Sequence, residues 1–326
     1  MMKKLNFSCL TKAIVIVLLL SSCNGVRKKL PEFNGVNNVI ADKVTIHEII
    51  MPDFMTKTND KLIVSSSESD PMIYIYSLPD LVFRNSIGNK GRGPDELSSF
   101  PMFCKSMSDD YLYVWGYTLT SMKRLKFDEN DRLINDTTYN LPRYEEFNYM
   151  HVVKDSILIY YLADNLTIKK YDLINEKYLE EIKYDIEDES GMGSFYYSNR
   201  GVLSANDSYM VYAYRYKRQI DIYDVNTFKL KTQIIAKDSG YKDIVNYVNA
   251  FCGKKYFYLL YRGVNKNDWS SNTDTLEVYD YNGNPVKKYQ FDKSPLIFVI
   301  DEDNSLLFGY SYTDDEEPDT FLRFDI

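Results

Sequence analysis

Histidine is nearly missing from this chain. His47 and His151 are the only two in 326 residues, so a three-histidine zinc centre cannot be built. Neither stands in a spacing that suggests a Ser-His-Asp arrangement, and no Gly-x-Ser-x-Gly elbow occurs. Cysteine is sparse as well: Cys9, Cys23, Cys104 and Cys252, with no Cys-x-x-Cys pair of the metal-binding kind. No apolar run reaches the roughly 20 residues that a membrane-spanning helix needs. No long stretch carries a 3.6-residue apolar stripe, so helices are not expected. Positive charge is also in deficit. Lys and Arg number 39 against 47 Asp and Glu, for a net charge of −8, and the basic residues form no stripe. That balance argues against nucleic acid as a partner and against a broad contact with anionic lipid.

What the chain has instead is tyrosine, 30 of them, set in a motif that recurs six times. The copies read MIYIYSL (72–78), MKRLKFD (122–128), TIKKYDL (167–173), QIDIYDV (219–225), LEVYDYN (276–282) and FLRFDI (321–326). Their aligned aromatics are Tyr76, Phe127, Tyr171, Tyr223, Tyr279 and Phe324, and the next residue is Asp in five of the six. Spacings of 51, 44, 52, 56 and 45 residues signal a repeat architecture. A second run precedes each copy, for example KLIVSSS at 61–67 and YFYLLYR at 256–262, rich in Tyr, Val, Ile and Phe. Such runs favour strands. With a third, amphipathic run after each motif and a short apolar one before it, each repeat holds four strands. The pattern predicts an all-β fold, a six-bladed β-propeller of four-stranded blades. The last copy ends the chain without an outer strand. The run KVTIHEII at 43–50 is free to supply it and so to close the ring at an otherwise open edge. An open solenoid would need shorter, more regular repeats with polar caps, and a sandwich has no place for six matched copies.

The N-terminus reads as an export signal. Lys3, Lys4 and Lys12 accompany an apolar stretch, Ala13 to Leu20, too short to span a bilayer. Leu20-Ser21-Ser22-Cys23 resembles the bacterial lipobox, which implies a signal peptide over 1–22 and lipidation at Cys23. Residues 23–42, polar and containing Gly25, Pro31 and Gly35, read as a flexible tether to a propeller over 43–326. Loss of three lysines with the leader would take the net charge to about −11. Asn24, Gly25 and Val26 follow the cysteine in place of an acidic cluster. Among such lipoproteins this implies the outer membrane, facing the periplasm.

The sharpest local motif is Ile87-Gly88-Asn89-Lys90-Gly91-Arg92-Gly93-Pro94-Asp95-Glu96-Leu97, followed by Phe100-Pro101. It is not a P-loop, since no Lys-Ser/Thr pair and no helix pattern follow. A structural crossover between blades is the expected role. The motif resembles the Gly-x-x-Gly-x-Gly-Pro-x-Glu-Phe/Leu signature of six-bladed, TolB-like propeller lipoproteins of Bacteroides-type bacteria, and is similar to the NHL repeat. The likeness is clear in this blade alone and implies fold and a cell-envelope location, not a mechanism. The signatures of WD40, kelch and sialidase propellers are absent.

Candidate functional residues gather in the loops that lead into the inner strands of blades three to five. Asn148, Tyr149 and His151, then Tyr197, Asn199 and Arg200, then Tyr247 and Asn249 are expected at the mouth of the central channel. Rings that stack and amides or a guanidinium that read a polar edge suit a small polar ligand, a glycan or a peptide. The competing reading is that these rings only cover loop backbone. Asn148, Asn199 and Asn249, with Asp53, also offer oxygens for calcium, or simply cap tight turns into their strands. The resulting expectation is a lipid-anchored binding or scaffolding module for a ligand or protein partner, without a cofactor. A calcium-dependent hydrolase or lactonase is the alternative. Cys104 and Cys252 fall on inner strands of opposite blades, too far apart for a disulfide, whose Cα atoms must lie within about 7 Å.

Overall fold

The computed structural model describes residues 25–326 except 94–95, 119, 130–131, 143–144, 146, 188–192, 239–242, 269–273 and 312–319. The expected leader over 1–22 and Cys23 lie outside the described residues. Apart from a 3-10 turn at Ser194–Tyr196, every regular element described is a strand.

The strands form six four-stranded antiparallel meanders. Their inner strands are Phe54–Thr58, Met102–Ser106, Asn148–Val153, Gly201–Ala205, Ile244–Cys252 and Ile297–Asp301. The six copies of the tyrosine motif are the third strands, from Ile73–Ser77 in blade one to Thr320–Asp325 in blade six. The recurring Asp has a local job. Asp172 accepts the N–H groups of Ile174 and Asn175, Asp224 that of Thr227, and Asp280 those of Asn282 and Asn284. Each thereby fastens the hairpin into the outer strand. The turn donors hold all three carboxyls below the usual range.

Side chains alternate across each strand, so both faces of a blade are apolar and each blade packs on its neighbours. Six buried clusters fill the junctions. Ile63, Phe103 and Val114 pack blade one on blade two, and Tyr113, Val152 and Tyr160 pack two on three. Leu203 and Tyr212 meet Tyr161 between three and four, and Val211 meets Leu259 between four and five. Leu260 and Leu307 join five to six. Phe321 and Phe308 of blade six pack on Leu62 and Tyr76 of blade one, so the last blade rests on the first. Blades two and three are also hydrogen-bonded through their inner strands, which run in parallel with Lys105 opposite His151.

The chain opens along the rim. Val26–Lys29 pairs in parallel with Lys229–Ile235, the outer strand of blade four, and Asn37–Val39 in parallel with Pro285–Phe291 of blade five. Asp42–Thr45 then pairs antiparallel with Thr320–Asp325 and supplies the fourth strand of blade six. This is the strand expected over 43–50, except that it stops at Thr45. Beyond it, Ile46 and Ile49 leave the sheet and bury at the junction of blades six and one. The residues expected as a tether are therefore laid down as two further strands. They read as tether because an added edge strand is held by main-chain hydrogen bonds and leaves its side chains in water: Val26 is 61% exposed.

Candidate functional site

Antiparallel meanders put the starts of all six inner strands at one end of the channel and their first hairpins at the other. At the first end lies a cavity of about 410 Å³. Asn148, Tyr149 and His151 of blade three, Arg200 of blade four and Asn249 of blade five line it, with apolar walls that include Phe54, Met102 and Phe298. Five of the eight residues expected at the mouth thus meet in one place.

Local backbone explains how. The ladder between Asn148–Val153 and Ile157–Leu162 breaks between Asn148 and His151. Tyr149 sits in that bulge with φ of +45° and lies 36% exposed. A bulge re-aims the side chains beside it, and here it leaves a tyrosine on the cavity wall, tilted against the Tyr161 ring at 6.3 Å. Arg200 donates to the Ser194 carbonyl at 3.1 Å and lies over the Phe195 ring at 5.1 Å. Asn249 donates to the Leu296 carbonyl at 3.0 Å and accepts from its neighbour Ala250 N–H.

His151 faces the cavity but is also tied back. Its Nε2 donates to the Leu203 carbonyl at 3.3 Å and its Nδ1 accepts from Ala205 N–H at 3.4 Å. Burial, with the Lys105 charge beside it, pushes its pKa down to about 3. It is a neutral clasp between blades three and four.

The other three expected residues are elsewhere. Tyr247 is fully buried at the junction of blades four and five, its hydroxyl 3.4 Å from Glu277. That inner strand begins at Ile244 and shifts register on both sides of Tyr247, which packs on the face turned to blade four. Asn199 precedes the blade-four strand and turns outward, accepting from Lys217 Nζ and donating to the Asp185 carbonyl, both at 2.8 Å. Tyr197 ends the 3-10 turn and packs against the junction of blades three and four. Of the oxygens considered for calcium, those of Asp53, Asn148 and Asn249 belong to residues lining this cavity, Asp53 also accepting from Ser67 N–H at 2.6 Å, while Asn199 is held away by Lys217. Among the described residues no group of three or more His, Cys, Asp or Glu is placed to hold a metal. Tyr144 and Tyr241, which precede the inner strands of blades three and five in the sequence, lie outside the described residues.

One channel residue had no counterpart among the sequence candidates. Lys105, on the inner strand of blade two, lines the mouth cavity and also a smaller one, of about 70 Å³, at the opposite end. Its signal was available: four of the inner strands carry a polar residue at their fourth position, Lys57, Lys105, His151 and Ser204.

The glycine loop of blade one is a crossover, as its sequence suggests. Glu96 folds back to accept Gly93 N–H at 2.8 Å, while Gly91 N–H goes to the Leu97 carbonyl and Lys90 N–H to Asp70, so these loop donors are taken up within the chain. A Cβ on Gly91 would fall 1.8 Å from the Glu96 carboxylate. Leu97 then inserts between blades one and two, 2% exposed.

A family model described as TolB-like 6-blade propeller-like matches residues 32–303. The chain belongs to this TolB-like family. Among solved structures, it is similar to a Bacteroides fragilis protein described as exported, with TM-score 0.56 and 12% identity over 92% of this chain and 98% of that one. It also resembles U3-55K, with TM-score 0.53 and 8% identity over 87% of this chain and 98% of that one. At these identities the likeness is one of fold. No curated protein matches the chain. The TolB-like assignment agrees with the six meanders and leaves the channel to be read from its own residues.

Proposed function

We propose that this TolB-like chain is a lipid-anchored binding module of the cell envelope, whose small polar ligand seats in the mouth of the channel. The observation that carries the reading is the convergence of Asn148, Tyr149, Arg200 and Asn249 from three blades on one cavity with apolar walls. An aromatic face and a few convergent polar groups are what a small-molecule site requires. We read the role as binding rather than catalysis because His151, the histidine on this cavity, has both ring nitrogens engaged. The lipobox-like Leu20–Cys23 and the exported B. fragilis neighbour support the location.

The rim strand gives the anchor a direction. Val26 pairs with Thr232, and Gly25 lies against Leu230, near the hairpin that leads into the outer strand of blade four. That hairpin is at the end of the channel opposite the mouth. A lipidated Cys23 would hold this rim within about 10 Å of the bilayer, since an extended residue spans roughly 3.3–3.6 Å. The mouth would then face away from the membrane. Screening glycans, short peptides and small acids by thermal shift is the direct test. Tyr149→Ala and Arg200→Ala should each weaken any hit by about tenfold or more, with little change in melting temperature. A ligand whose contacts map to Gly88–Glu96, or which binds both variants normally, rules the site out.

A further inference from the structure

We infer that the waist of the channel, at Lys105, is an oxyanion site, so that the ligand carries a carboxylate or phosphate group inward. This rests on the mouth reading above and names the chemistry that the mouth selects.

Lys105 is a cation without an acid. Its ammonium donates at 3.5 Å to the Ala250 carbonyl and stands 5.7 Å from the centre of the Phe251 ring. Among the described residues, no carboxylate comes within ion-pair distance of it. Several other enclosed lysines are matched: Lys57 meets Asp301 at 3.5 Å, Lys217 meets Glu187 at 3.2 Å, Lys288 meets Glu277 at 3.1 Å, and Lys169 meets Glu145. Arg200, the second cation on the cavity, likewise has a carbonyl and a ring but no acid. The one carboxylate lining this cavity, Asp53, is turned to the Ser67 N–H. In a chain with net charge −8, two unmatched cations around one cavity mark a place kept for a negative group.

The surroundings favour an anion that comes from outside. Taking an ammonium out of water without a counter-charge is costly, and burial draws Lys105 down to about 8. His151, its partner across the parallel ladder, adds no positive charge because it stays neutral. In the opposite cavity Asp301 is taken by Lys57 and Asn304, and Glu302 by the N–H groups of Lys254 and Lys255. An oxyanion on Lys105 would leave the body of its molecule against Tyr149, Asn148 and Asn249.

The test reads Lys105 directly. In the full mature chain, lysines are reductively methylated with 13C, which keeps their charge, and the Lys105 resonance is assigned by its loss in Lys105→Arg. Formate and inorganic phosphate are titrated separately at fixed ionic strength. A saturable shift of that resonance, absent from surface lysines, is expected with at least one of the two, and which one answers tells carboxylate from phosphoryl. Lys105→Met should melt at a higher temperature than the parent in anion-free buffer and bind the responsive anion about tenfold or more weakly. If the Lys105 resonance moves no more than surface lysines in either titration, the oxyanion site is wrong. A neutral ligand held by Tyr149 and Arg200 and indifferent to Lys105→Met would overturn this inference while leaving the mouth reading intact. Oxyanions bound at Lys105 with every larger ligand mapping elsewhere would do the reverse.

Discussion

Glu277 is wholly buried in blade five and is nevertheless an acid. It accepts from Arg218 at 2.6 Å, Lys288 at 3.1 Å and the Tyr279 hydroxyl at 3.0 Å. Arg218 in turn lies 3.7 Å from the centre of the Tyr261 ring. Removing the charge leaves two enclosed cations facing one another, which costs about 3–5 kcal/mol for a broken buried pair. Glu277→Gln should therefore lower the unfolding free energy in urea by about 3 kcal/mol or more; a loss below about 1 kcal/mol would show that the cluster is well solvated. His151 gives a second residue-level outcome. Its pKa is about 3 when folded against 6.5 ordinarily, so between those values the unfolded chain binds the extra proton. Stability from this group is complete above pH 6.5 and declines as pH falls, by about 1.4 kcal/mol per unit for one proton. His151→Gln should show a shallower loss of stability between pH 6.5 and 4 than the parent. An unchanged slope would place the acid sensitivity elsewhere.

The most telling element is the N-terminal strap, which crosses the rims of three blades in turn. Besides its ladders, Leu30 N–H donates to Ile235 at 2.8 Å, Ala41 N–H to the Asp292 carboxylate at 2.9 Å, and the Phe33 ring meets Tyr279 edge-on at 5.2 Å. Leu30 and Phe33 cover the junction of blades four and five. A mature chain beginning at residue 41 would keep the fourth strand of blade six and lose the added edges with the half-buried Leu30, Phe33 and Val39. One beginning at residue 51 would also lose that strand and the buried Ile46 and Ile49, exposing Phe321 and Leu322. Thermal melts should therefore fall modestly for the first and steeply, with lost cooperativity, for the second. Equal melting of the two would mean that Asp42–Thr45 contributes nothing to the last blade.

At the scale of the whole molecule, the six-fold order puts Cys104 and Cys252 in separate blades, both free and buried. Cys104 packs among Met122 and Met150, and Cys252 lies beside Ser204. Burial pushes both thiols up, Cys252 to about 12, so little thiolate exists at neutral pH. Iodoacetamide should leave both unmodified in the native protein and label both in urea. Native labelling at the rate of a free thiol would show that the junctions open.

The blades were legible in the sequence because each repeats one local rule: alternating apolar residues, an aromatic on the third strand, and an Asp to turn the chain. Such rules act between near neighbours, and they fixed strand order, the closing role of the residues after Asp42 and the separation of the two thiols. Only the tertiary structure decided what gathers in the channel. A bulge one residue long carried Tyr149 to the cavity, while a register shift in the next-but-one blade drew Tyr247 into the core. The polar fourth position of the inner strands marks Lys105 in the sequence, but on an apolar strand it reads as an ordinary charge. Its meaning lies in which acids fail to reach it, and that depends on residues from five other blades. The strap was missed because main-chain pairing at a rim needs no side-chain pattern to be recognised.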